Sequence, residues 1–183
     1  AGITVHAWIN AYYVWSDGGA EPPERHIVRT HPEWLLTDDQ GRRMDEFPVE
    51  HWTGLGLEGY FVSPASRAAR EYTVAVIEDI AMRYDIDGVH LDYVRYPGPS
   101  FGYAPAERTR FALDFGVDPV KLLQDRPQVT GIIGALGAQS LDELVIEWRA
   151  QQIDSLVSAV RQAIDPLPLS AAVIPDHSLS LIH

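Results

Sequence analysis

Residues 66–92 run from a helical pattern, through a short turn, straight into an apolar strand. Ala69, Tyr72, Val76, Ile77 and Ile80 recur at three- and four-residue spacing up to Arg83, and Ser63-Pro64 supplies a start signal. This is the periodicity of a helix with one apolar side. "YDIDG" then turns the chain into "VHLDYVRYPG", where Val89 and Leu91 are apolar and Pro97-Gly98 stop the strand. An earlier strand followed by such a helix and strand makes a parallel β/α crossover, right-handed by default. "GITVHAWIN", residues 2–10, is that earlier strand, with Ile3, Val5, Ala7 and Ile9 on one face and His6, Trp8 and Asn10 on the other.

The same alternation continues. After a Gly- and Pro-rich loop at 97–105, "AERTRFALDFG" reads as a short helix ended by Gly116, and 117–139 reads as irregular. The strongest helix spans 141–164, with Leu144, Ile153, Leu156, Val157, Val160 and Ile164 as its apolar stripe. "PLPLSAAVIPD" supplies a last strand at roughly 168–174. Residues 11–62 hold turn chemistry ("DGG", "EPP", "HPEW", "DDQG") and no long periodic segment, a length that in a compact domain marks a functional loop or one with small elements of its own. His31-Pro32 sets a bend there, with Trp34 as its anchor.

Three strands cannot close a barrel of eight, so this order allows part of a (β/α)8 barrel or a small open sheet. The polar residues favour the barrel, because Asn10 and Asp92 stand at C-terminal strand ends and Asp176 follows the third strand. The expectation is an α/β fold, a partial (β/α)8 TIM barrel with parallel strands and crossover helices. Residues 1–183 then form a single domain that looks cut at both ends, opening on Ala1 and closing on "HSLSLIH".

The composition narrows the chemistry. The 183 residues are 46% hydrophobic and 22% charged, enough for one domain with a core. No apolar run reaches the ~18 residues of a membrane span. Only 14 Lys and Arg stand against 26 Asp and Glu, so nucleic acid is not an expected partner. The absence of cysteine removes disulfides, thiolate zinc sites and Cys nucleophiles. Neither a Gly-rich phosphate loop nor a Gly-x-Ser-x-Gly elbow occurs, and no cofactor is expected. Five Trp and eight Tyr offer many flat aromatic faces.

"VHAWIN", "HPEWL", "EGYFVSP", "YDIDGVHLDYVRYPGPSFGY", "EWRAQQI" and "LSAAVIPD" occur in an order that resembles the glycosyl-hydrolase-like family 10 domain of bacterial proteins. The resemblance covers nearly the whole chain, and "DGVHLDYVRYP" is its most specific stretch. It implies a TIM barrel and a carbohydrate-active hydrolase, on secreted, periplasmic or cell-surface proteins, with bacterial or environmental glycans as substrates. Many members carry two adjacent carboxylates, as "FDDY"; here Leu91-Asp92-Tyr93 supplies only the first.

Glycoside hydrolysis uses two carboxyl groups flanking the scissile bond, about 5–5.5 Å apart for retention and about 6.5–9.5 Å for inversion. Asp92 is the leading candidate, since a carboxylate at a strand end is costly to bury unless something pairs or uses it. Its structural alternative is an ion pair with Arg95 or Arg149. The partner carboxyl is Asp176 by topology or Glu58 in "LEGYF"; Asp17 and Glu147 are weaker, Glu147 as a helix-face charge. Asn10 suits a sugar hydroxyl. Tyr12, Trp15, Tyr93 and Tyr96 could stack on pyranose rings, Arg95 could orient Asp92 or touch substrate, and His90 shares the face of Asp92. His6 and His90 read as hydrogen-bonded histidines rather than metal ligands, and Arg149 and Gln152 as structural. Three functions remain open: a glycosidase, a non-catalytic carbohydrate-binding barrel that lost one carboxylate, and an unrelated barrel hydrolase of another polar substrate.

Overall fold

The structure is a computed structural model that describes residues 2–16, 21–48, 51–55, 57–124, 126–138 and 140–173. In chain order the elements are β1 (His6–Asn10), β2 (Tyr13–Trp15), α1 (Ile27–Thr30), 3-10 turns at Pro32–Trp34 and Met44–Glu46, α2 (Trp52–Leu55), β3 (Tyr60–Phe61), α3 (Arg67–Arg83), β4 (Gly88–Asp92), α4 (Pro105–Phe115), α5 (Pro119–Gln124), α6 (Arg126–Ala135), α7 (Leu141–Ala163) and β5 (Leu169–Ala171). Strands β1, β4 and β5 form a parallel sheet in that order. Strands β2 and β3 form a separate antiparallel pair.

Local chemistry sets the helix ends. Ser66 caps α3 by accepting the Ala69 N–H, and Ser63 Oγ accepts the Ser66 N–H one step earlier. Ser140 caps α7 through the Glu143 N–H; Asp142 and Glu143 sit in its first turn and Arg161 in its last, matching the helix dipole. Helix α4 opens on Pro105 and ends at Gly116, whose φ of 72° is the left-handed geometry that terminates a helix.

The sheet is two-sided in a specific way. Its odd-numbered positions in β1 and β4 face α3 and α7, where Val89 and Leu91 meet Ile77, Ile153, Leu156 and Val160, all fully buried. Each such aliphatic side chain contributes roughly 2 kcal/mol of burial. The opposite face carries no helix among the described residues. His6, Trp8 and Asn10 of β1 are exposed, His90 and Asp92 of β4 half-buried, and Ser170 of β5 exposed. Register places Trp8 beside His90, Asn10 beside Asp92, and His90 beside Ser170.

Three expectations change, and residues 11–62 do carry small elements of their own. Residues 117–139 are not irregular but contain α5 and α6, packed with Phe111, Leu144 and Trp148 as a second small core. The buried side of α3 is Ala69 and Ile77 with Val74 and Ala81 alongside, whereas Tyr72 and Val76 lie outside. Ile3 and Val5 precede β1 and are 90% and 50% exposed, so they cover nothing. Residues 11–62 hold β2, β3 and short helical turns, tied to the loop after β4 by the Asp38–Phe101 bridge. His31 and Trp34 do stack at the Pro32 bend, 4.1 Å apart.

Candidate functional site

Strand β4 ends at Asp92, and the chain then turns sharply. Tyr93 has φ of 47°, a left-handed backbone that a bulky L-residue adopts at a cost of about 1 kcal/mol or more. That turn brings the Tyr93 N–H back to Asp92 Oδ1 at 2.7 Å. The other carboxylate oxygen, Oδ2, accepts the indole N–H of Trp8 from β1 at 3.0 Å. Asp92 is thus held by two donors and left half-open on the uncovered sheet face. Among the described residues no ion pair reaches it; Arg95 goes to Glu58, and Arg149 donates to the Phe101 carbonyl at 2.7 Å. Neither arginine bridges Asp92, which removes the structural pairing considered from the sequence.

The β2–β3 pair delivers Glu58 to the same place. Gly59 allows the close approach, since a Cβ there would lie 2.2 Å from the Trp15 carbonyl oxygen and 2.6 Å from the Tyr13 ring. The Tyr93 hydroxyl donates to Glu58 Oε2 at 2.7 Å, and Arg95 Nη2 lies 3.8 Å from the same oxygen. Tyr13 stacks on Tyr93 with centroids 4.4 Å apart and donates its own hydroxyl to the Glu58 carbonyl. The Arg95 guanidinium sits 5.2 Å over the Tyr93 ring, within cation–π range. The hydrogen bond to Glu58, with lesser help from burial and from the Glu58 charge, pushes the Tyr93 phenol up to about 12. The phenol therefore stays a proton donor at any physiological pH.

Of the residues picked from sequence, Asp92, Tyr93, Arg95 and Glu58 form one linked patch, with Asn10 exposed beside Asp92 in the register. His90 is partnered by Ser170 Oγ at 2.9 Å, with its ring edge-on to Trp8 at 4.9 Å. Two expectations are corrected. Tyr12 and Tyr96 are 0% and 3% exposed, so neither ring offers a stacking face. Both rings belong to the main core, and the Arg149 guanidinium of α7 lies 4.8 Å over the Tyr96 ring. Trp15 is half-buried against His26. Glu147 is an exposed helix-face charge. Asp17 and Asp176 lie outside the described residues. Among the described residues, no group of three or more His, Cys, Asp or Glu is placed to hold a metal ion.

Two features escaped the sequence reading. Trp8 shares its strand parity with His90 and Asp92, which is the signal in the sequence, and its indole N–H holds Asp92. Glu107, in the first turn of α4, is fully buried. Its Oε1 accepts the Ser63 hydroxyl, while its Oε2 and the buried Tyr12 and Tyr96 hydroxyls find no hydrogen-bond partner among the described residues. Burial pushes the Glu107 carboxyl up to about 7, opposed by the Ser63 hydroxyl, nearby backbone N–H groups and the Arg149 charge. An acid two residues after a helix-opening proline is ordinary on the surface, so no pattern marked this one as buried. Above it, Tyr96, Pro99, Tyr103, Leu123, Val145 and Arg149 contribute to the wall of a cavity of about 390 Å³.

Known proteins match this chain along most of its length. An S-layer-related protein of Niallia circulans is 25% identical over 174 residues, covering 90% of this chain and 10% of its own. The glycosyl hydrolase YngK of Bacillus subtilis (strain 168) is 24% identical over 164 residues, covering 88% of this chain and 24% of its own. The chain therefore spans a quarter or less of the length of these relatives. Among solved structures, the glycoside hydrolase domain of PgaB (BpsB) from Bordetella bronchiseptica superposes with TM-score 0.62 at 13% identity, over 98% of this chain and 46% of that one. Alpha-L-fucosidase isoenzyme 2 from Paenibacillus thiaminolyticus superposes with TM-score 0.55 at 17% identity, over 93% of this chain and 20% of that one. These two likenesses are of fold. The model of one family, Glycosyl hydrolase-like 10, matches residues 1–172, and the chain belongs to that family.

Proposed function

We propose that this chain carries the carbohydrate-processing face of a glycoside hydrolase, with Asp92 at the reacting centre. The observation that carries the reading is the Asp92 carboxylate. It is fixed by the Trp8 and Tyr93 N–H groups at the C-terminal end of the central strand, yet remains half-open. Family membership and the glycoside hydrolase fold neighbours make a glycosidic bond the expected target. In this reading the three parallel strands are a segment of a (β/α)8 barrel, whose loops after the strands form the site. Glu58 or Asp176 supplies the second carboxyl group. Asn10, Tyr93 and Arg95 bind sugar hydroxyls, and His90 with Ser170 supports Trp8. The S-layer-related relative supports a secreted or cell-surface setting, and no described helix is long and apolar enough to cross a membrane.

The test is turnover of a glycan panel by the native protein and by Asp92→Asn. The swap keeps shape while removing acid–base and nucleophilic capacity, so activity should fall on the order of 10²-fold or more with folding retained. Activity within about threefold of wild type returns Asp92 to a structural role.

A second reading, a carbohydrate-binding domain without turnover, is favoured by one specific feature. Asp92 has no adjacent acid, and Glu58 is already engaged by Tyr93 and lies close to Arg95. Sugar binding that survives Asp92→Asn, with no turnover of any glycan, selects it.

A further inference from the structure

The uncovered sheet face carries a continuous line of side-chain contacts across three strands. Ser170 of β5 meets His90 Nδ1 of β4 at 2.9 Å. The His90 ring stands edge-on to the Trp8 indole of β1 at 4.9 Å. The Trp8 Nε1–H donates to Asp92 Oδ2 at 3.0 Å, two residues further along β4. Gly88 helps make room for this arrangement: a Cβ there would lie 2.7 Å from the His6 ring, the next side chain on the same face of β1. Trp8 nevertheless remains 69% exposed. The hydrogen bond fixes the ring plane, and the bare face then has a set position relative to that carboxylate.

We infer that Trp8 has two roles: it is the positioning residue for Asp92, and its exposed indole face is the platform on which a pyranose ring lies with a hydroxyl directed at the Asp92 carboxylate. This rests on the carbohydrate reading above and adds the residue that orients both partners. The ligand chemistry follows from the pair. A flat apolar surface beside a hydrogen-bond acceptor fits a ring with an apolar C–H face and equatorial hydroxyls; it does not fit an anion, which the carboxylate repels. His90 holds the ring from its edge, so Ser170 and His90 act on Trp8 and not on the ligand.

The protein contains five tryptophans, so an indole N–H NMR spectrum has five signals, and Trp8→Phe identifies the one from Trp8. In the full chain, Asp92→Asn should move the Trp8 signal and leave the other four in place. A Trp8 signal indifferent to Asp92→Asn overturns the positioning role. Cellotetraose, chitotetraose and xylotetraose are then titrated in turn. At least one should move the Trp8 signal. Trp8→Phe, which keeps a ring but loses the N–H that fixes its plane, should bind that sugar more weakly than wild type, and Trp8→Ala, which loses the ring as well, about tenfold more weakly. The four remaining signals report whether each variant is still folded. Sugar that moves other signals and not that of Trp8, or binds Trp8→Ala as well as wild type, overturns the platform while the carbohydrate reading stands. A protein whose five signals ignore all three sugars overturns both.

Discussion

Replacing Glu107 with Gln tests the buried carboxyl that accepts the Ser63 hydroxyl. Glu107 is completely enclosed, and burial raises its carboxyl from 4.5 to about 7. In the unfolded chain the group loses its proton near 4.5. In the folded protein it keeps the proton until about 7, so between these values the native state binds more protons. Stability from this group is therefore fully present below pH 4.5, declines as pH rises, and is lost by the time pH passes 7. At about 1.36 kcal/mol per decade, the loss across that window is roughly 3 kcal/mol. Glutamine is neutral at every pH and keeps an oxygen for the Ser63 hydroxyl. The two proteins should unfold at similar urea concentrations at pH 4.5. At pH 8, Glu107→Gln should be the more stable by roughly 3 kcal/mol, read from urea melts followed by circular dichroism. Every other titrating group is common to both proteins, so the difference isolates Glu107. Parallel pH profiles would refute the reasoning and assign Glu107 an ordinary carboxyl.

Three further outcomes follow from particular contacts. Glu58→Gln should bring the Tyr93 phenol down from about 12 toward 10, since the hydrogen bond to Glu58 is the main cause of the rise; 13C-tyrosine NMR titration measures it, and an unmoved value removes the Glu58–Tyr93 link. Tyr96→Ala should cost about 3–5 kcal/mol of stability, as for other large buried rings, while sugar affinity changes little; a variant that melts normally but binds sugar poorly puts the ring back at the site. The 183-residue chain should self-associate, because β1 and β5 are sheet edges among the described residues, β1 preceded by exposed Ile3 and Val5; a monomer by light scattering contradicts this.

The periodicity of residues 66–92 and 141–171 was enough to establish alternating helices and parallel strands, and the structure has them at nearly those boundaries. Period-two alternation likewise separated Val89 and Leu91 from His90 and Asp92, because side chains on a strand must take opposite faces. Period alone fails where an element is short or its burial is set by distant segments. Helices α5 and α6 are short, and their Leu122 and Ile133 are held by Phe111, Leu144 and Trp148 from other elements. Tyr12 and Tyr96 have the local pattern of surface aromatics at strand ends. Whether such a ring faces solvent depends on what packs over it, and for Tyr96 that includes Arg149 of α7, from far along the chain. Glu58 stands 34 residues before Asp92, and only the β2–β3 pairing and the close packing at Gly59 bring it to Tyr93. Local residue order decides which way a side chain leaves its strand or helix; contacts between remote segments decide whether it meets solvent, a partner or another ring.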